Sequence, residues 1–123
     1  MVPIAMKTTK QVIDQYMDGY EICDIDQVMG VFDETSILIC GGDVYRGVKE
    51  IREFFIYVMD KLLPQGVEIN DIHQVIEDDV AFFVWSAKSK KCEISLGMDT
   101  MFIKNGVICR QTAYLAVEDQ VSL

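Results

Sequence analysis

The hydrophobic period of this chain changes once, near its middle, and that change limits the fold more than any other feature. Up to Leu62 the apolar residues recur at helical spacing; from Val67 onward they run as strands do. Thr8 with Gln11 has the form of a capping box, and Val12, Ile13, Tyr16, Met17 and Tyr20 then form one apolar stripe, which predicts a first helix. Asp24 and Gln27 repeat the capping arrangement ahead of Ile25, Val28, Met29 and Phe32, a short second helix. Thr35 to Cys40 reads as a strand, and Gly41, Gly42 and Asp43 supply a turn before Val44 and Tyr45. Val48, Ile51, Phe54, Phe55, Val58, Met59 and Leu62 then make a third helix, stopped at Pro64, Gln65 and Gly66.

The second half reads as three or four long strands, punctuated by Asp78 and Asp79, by Ser89 to Lys91, and by Asn105 with Gly106. An Asn-Gly pair between apolar runs is a type I′ hairpin signal. Helices first and hairpin-connected strands afterwards define the α+β class, three N-terminal helices on one face of a mainly antiparallel sheet. The sheet must curve strongly to wrap them.

At 123 residues the chain is the size of one domain, expected to span 1–123. Twenty acidic against eleven basic residues give a net charge of −9, which repels phosphate backbones, so nucleic acid is not an expected partner. The longest apolar runs, such as Val80 to Trp85, fall far short of the roughly 20 residues that span a bilayer. A soluble, cytoplasmic protein with no membrane partner is expected. Cys23, Cys40, Cys92 and Cys109 are scattered without a CxxC pair, and His73 is the only histidine, so neither a disulfide framework nor a metal site is indicated. No metal or cofactor is expected.

Several strands carry apolar residues on both parities. From Cys92 to Phe102, strict alternation puts Glu93, Ser95, Gly97, Asp99 and Met101 on one face and Cys92, Ile94, Leu96, Met98, Thr100 and Phe102 on the other. Phe82, Val84 and Ser86 alternate in the same way with Ala81, Phe83, Trp85 and Ala87. A strand that is oily on both faces needs a second layer or a second subunit. A homodimer is therefore expected.

The segments VIDQYMDGYEICDIDQVMGVFDET (12–35), RGVKEIREFF (46–55) and GMDTMFIKNGVICRQTAYLAV (97–117) resemble the nuclear-transport-factor-2-like (NTF2-like) superfamily, particularly its ketosteroid-isomerase and SnoaL-like members. That resemblance implies a cystatin-like cone: a bent sheet around helices, with an apolar pocket at its open end and the homodimer formed through the outer sheet face. It maps the isomerases' oxyanion-side tyrosine onto Tyr16 and their oxyanion-side aspartic acid onto Asp99. Such donors, fixed in a poorly hydrated pocket, stabilise charge that develops on a substrate oxygen, and a carboxyl group donates only while desolvation keeps it neutral. The position of the family's catalytic aspartate falls on Cys40, with Asp43 as a substitute three residues on, and Phe55 stands where some isomerases have a supporting tyrosine.

His73 shares a parity with Val67, Ile69, Asp71 and Val75; it is either an acid–base partner of Asp99 or a sheet histidine at an edge or interface. Arg110 reads as a surface or interface residue, and Trp85 as pocket lining, core or interface. The pocket lining is assigned to Phe55, Met59, Phe82, Val84 and Met101. The expected function is an isomerase or cyclase acting on a small apolar carbonyl compound, steroid- or polyketide-like; the alternative is a non-catalytic binding or dimerisation module.

Overall fold

The computed structural model describes residues 6–90 and 92–119, so Lys91 of the Ser89–Lys91 turn lies outside the described residues. Helix α1 spans Thr9–Glu21 and begins in the expected capping box: the Gln11 amide donates to Thr8 Oγ1 at 3.2 Å, and the Thr8 amide donates to Gln11 Oε1 at 2.9 Å. Asp24 caps α2, Ile25–Met29, by accepting from the Gln27 amide at 3.1 Å. The second half of that box does not form. Instead Gln27 Nε2 donates to the Gln15 carbonyl at 3.1 Å while Gln15 Nε2 donates to the Gln27 carbonyl at 3.0 Å, which clamps α2 to α1. Gly19 lets the two helices close up, since a Cβ there would lie 2.8 Å from Val28 Cγ2.

A hairpin follows, with β1 at Ile37–Cys40 and β2 at Asp43–Arg46 joined by Gly41 and Gly42. Helix α3, Gly47–Tyr57, comes after it, so the three helices are not consecutive at the N-terminus: the hairpin separates α2 from α3 and enters the sheet. Val58–Leu62 continues α3 as one π-helical turn, with the Leu63 amide donating to the Val58 carbonyl at 2.7 Å. Four long strands follow among the described residues: β3 Glu68–Glu77, β4 Val80–Lys88, β5 Cys92–Lys104 and β6 Val107–Asp119. Asn105 and Gly106 both take positive φ, 55° and 77°, as a type I′ turn requires.

The sheet order is β2-β1-β6-β5-β4-β3, antiparallel throughout except that β1 runs parallel to β6. The helices pack on one face, where Val12, Ile13, Ile51 and Phe55 meet Leu38, Ala81, Phe83, Met101 and Ile108 in one core. Each of these side chains except the small Ala81 contributes about 1.5–3 kcal/mol by its burial.

Bulges interrupt the alternation that the sequence alone implies. In β5 the register shifts between Ile94 and Leu96, so the inward set is Cys92 and Ile94 and then, with changed parity, Gly97, Asp99, Met101 and Ile103. In β3 it shifts between Asp71 and His73: Ile69 and Asp71 face inward with Ala87 and Trp85, whereas His73 and Val75 face outward with Val84 and Phe82. Extra residues of this kind bend a strand and re-aim its side chains. Among the described residues no helix is long and apolar enough to cross a membrane.

Candidate functional site

Helix α1 carries Tyr16 and Tyr20 one turn apart on its buried side, with ring centroids 5.0 Å apart, and Phe55 of α3 meets Tyr16 edge-on at 5.9 Å. The sheet answers from below. Asp99 of β5 lies between Phe83 of β4 and Ala113 of β6, and Met101 lies beside Gln111 of β6. Together with Phe54, Val58, Leu63, Trp85 and Leu115 these residues line a cavity of about 70 Å³ that opens to solvent, with Ile69 and Asp71 of β3 also in the lining.

The lining is mostly apolar, and its buried polar groups form one network. Trp85 Nε1 donates to Asp99 Oδ2 at 2.7 Å; Gln111 Nε2 donates to Asp99 Oδ1 and to the Tyr16 hydroxyl oxygen, both at 3.2 Å. Tyr16, Asp99 and Gln111 are held by packing, 6%, 8% and 2% exposed, and Trp85 is half-buried. Gly97 makes the Trp85 contact possible. It pairs with Trp85 across β4 and β5, and any Cβ at this position would collide with the indole, which lies flat over the glycine and ends on Asp99.

Burial pushes the Asp99 carboxyl above its usual range, and the hydrogen bonds from Trp85 and Gln111 only partly oppose it. Burial, and next the Asp99 charge, hold the Tyr16 phenol above its ordinary range, against the lowering effect of its hydrogen bonds with Gln111 and Tyr20. Tyr16 is thus a neutral donor. Gln111 Oε1 is buried and has no partner among the described residues. Turning the amide over exchanges the atom left over but still leaves one, at a cost of about 1–3 kcal/mol unless a ligand or water meets it. The arrangement sets the Tyr16 hydroxyl and the Asp99 carboxyl into the wall of an oily cavity, while Gln111 Oε1, an acceptor, is itself closed off from solvent.

No family model matches the sequence, and no curated protein matches it. Solved structures do. A provisionally named polyketide cyclase of Sinorhizobium meliloti superposes with a TM-score of 0.68 at 15% identity, covering 83% of this chain and 92% of its own. A provisionally named ketosteroid isomerase of Kribbella flavida gives 0.72 at 10% identity, covering 94% and 82%. An NTF2-like protein of unknown function from Burkholderia xenovorans gives 0.71 at 14% identity, covering 94% and 86%. The chain has the NTF2-like fold. At such identities the likeness speaks for the backbone and leaves the chemistry to the side chains.

In this NTF2-like frame Tyr16, Asp99, Phe55 and Met101 do come together in one cavity. The other expected residues do not. Phe82 and Val84 lie on the outer face, and their sequence neighbours Phe83 and Trp85 line the cavity instead, because both parities of β4 are apolar and pattern alone does not choose between them. Met59 is turned by the π-helical turn into a separate open groove with Cys23, Ile25 and Ile56. His73 is exposed on the outer face beside Val84, beyond the bulge, so it is no partner of Asp99.

Asp43 opens β2 at an exposed position, and Cys40 faces it across the hairpin, half-buried; neither lines the cavity. Burial, and then the charges of Asp99 and Asp43, push the Cys40 thiol up, which is the wrong direction for a thiolate base. Arg110 is exposed on the outer face and donates to the carbonyls of Thr35 and Cys109 at 3.0 and 2.7 Å.

Gln111, Tyr20 and Asp71 were not expected in the site. Gln111 had one sequence signal, a polar residue sharing its parity with Ala113 and Leu115. Among the described residues no group of three or more His, Cys, Asp or Glu side chains is placed to hold a metal ion.

Proposed function

We propose that the cavity binds a compact apolar carbonyl compound and that the chain acts on it as an isomerase or cyclase, with Tyr16 and Asp99 polarising the carbonyl oxygen. The observation that carries this reading is the buried Tyr16–Gln111–Asp99–Trp85 network in the wall of an otherwise oily cavity. Donors aimed at a developing oxyanion in a dry site are worth far more than in water. The names of the cyclase and isomerase structures point the same way. A volume of about 70 Å³ is well below the ~300–1,000 Å³ of ordinary ligand pockets. It narrows the expected steroid- or polyketide-like ligand to a single ring or short chain whose remainder stands in the mouth.

Calorimetric titration with a planar phenol, a mimic of an enolate, tests this reading. Binding is expected to weaken about tenfold or more in Tyr16→Phe and in Asp99→Asn, each loss of about 1.4 kcal/mol being one factor of ten. Unchanged affinity in both variants overturns it.

The outer face supports a second proposal, that a second copy of the chain covers it. Phe82, Met98, Phe102 and Tyr114 stand exposed together there, Phe102 at 42% and Tyr114 at 52%. A patch of aromatic and aliphatic side chains on a sheet face is what an isologous dimer buries.

A further inference from the structure

We infer that Asp71 of β3 is the proton carrier of this cavity. The inference rests on the reading of Tyr16 and Asp99 as the groups that hold the substrate oxygen. Those two stabilise an enolate but do not make one, and neither Cys40 nor Asp43 reaches the cavity. Among the described residues two carboxyl groups line it, Asp99 and Asp71, and their settings are opposite. Asp99 is buried and tied to Trp85 and Gln111, whereas Asp71 is exposed at the mouth. Two carboxyl groups in one site, one buried and hydrogen-bonded and the other open to solvent, form the kind of arrangement in which acid and base roles are divided.

The backbone aims Asp71 inward by a specific device. One extra residue, Ile72, stands between the pairs Asp71–Trp85 and His73–Val84, so the strand changes face there. Without the bulge, Asp71 and His73 would share a face; with it, Asp71 stands at the exposed rim among the cavity-lining residues and His73 lies on the outer face.

The distances suit a small ring. Asp71, Trp85 and Gly97 form one row across three strands, and Asp99 lies two residues further along β5. A flat sheet would put the Asp71 and Asp99 α-carbons about 12 Å apart, from strand spacings of about 4.8 Å and a rise of about 3.4 Å per residue. Two inward side chains then leave room between them for one ring. The Trp85 indole, which lies over Gly97 and reaches Asp99, is a flat apolar floor beneath it.

The step is a redox-neutral proton shift. Asp71 takes a proton from the carbon next to the carbonyl; that C–H pair becomes the new C=C bond, and the carbonyl π pair moves onto the oxygen held by Tyr16 and Asp99. Asp71 then gives the same proton to the far end of the dienolate, which restores the carbonyl and leaves a conjugated enone. No oxidant or co-reactant is consumed.

Two probes test this. Cyclohex-3-en-1-one reports isomerisation by the ultraviolet absorbance of its conjugated product, and cyclohexanone in D₂O reports exchange of its α-protons by NMR. Asp71→Asn is expected to lower both rates at least 100-fold while leaving phenol affinity within about twofold, and Asp71→Glu to recover part of the loss; general bases contribute about 10²–10⁴-fold. Wild-type rates in Asp71→Asn overturn the assignment, as does a wild-type protein that binds phenol yet exchanges no protons. Failure of the wild type to bind phenol fells the oxygen-holding reading first, and this inference with it.

Discussion

The two faces of the central sheet are made from alternate residues of the same strands, and they treat polar and apolar groups in opposite ways. Inside, β4, β5 and β6 supply Phe83, Met101, Ala113 and Leu115, and into that apolar surface they set Trp85, Asp99 and Gln111, bonded to one another and to Tyr16. Outside, the same strands hold Phe82, Met98, Phe102 and Tyr114 in contact with water. A buried polar group needs a partner and an exposed apolar patch needs a cover. Among the described residues the inner face has met most of its need, leaving a single buried amide atom without a partner; the outer face has not met its own. One face is thus organised for a small ligand and the other for a large one.

The largest expected effect separates two phenyl rings. Phe55→Ala, inside, is expected to lower stability by about 3–5 kcal/mol, and Phe82→Ala, outside, by about 1 kcal/mol or less at dilutions where copies stay apart. Urea unfolding of both variants checks this, and equal losses would erase the distinction between the faces.

A smaller effect concerns the inner carboxyl group. Folding raises the Asp99 pKa, chiefly through burial, so the folded state binds the proton more tightly than the unfolded chain does. Stability from this group is therefore full below the unfolded carboxylate value of about 3.9 and falls as pH rises through the elevated folded value. Relative to Asp99→Asn, the wild-type urea midpoint should decline across that window, at no more than about 1.4 kcal/mol per pH unit. A gap that stays constant with pH would mean that Asp99 is ionised at no cost in the cavity. The smallest effect on stability belongs to Phe102→Glu on the outer face, which should convert a dimer to a monomer in sedimentation velocity while leaving the urea midpoint of the separated chain nearly unchanged. A sedimentation coefficient equal to that of the wild type removes this face from any self-association.

The elements were legible because their signals are local. The Thr8–Gln11 box, the stripes of α1 and α3, and the Asn105–Gly106 turn each depend on residues a few positions apart. The interior of the site was less so, for physical reasons that can be assigned to residues. Alternation assumes that every residue advances the strand by one pleat, and the extra residue Ile72 breaks that rule, which is why Asp71 and His73 part company. In β4 both parities are apolar, so nothing local distinguishes Phe82 and Val84 from Phe83 and Trp85. The π-helical turn after Tyr57 carries Met59 off the stripe that predicted it. Local pattern put Tyr16 on an apolar stripe and Asp99 in an apolar strand, but their pairing came through resemblance, and Gln111 acquires its meaning from two groups far away in the chain.

The indole that rests on Gly97 and bonds to Asp99 belongs to the single tryptophan of the chain. Excited where indole absorbs and the tyrosine phenols do not, its emission therefore comes from one known place, the cavity wall. Occupancy by an aromatic guest, or a change of charge on the neighbouring carboxyl, reaches that chromophore directly. The fold thus carries an intrinsic optical gauge for the chemistry of its own interior.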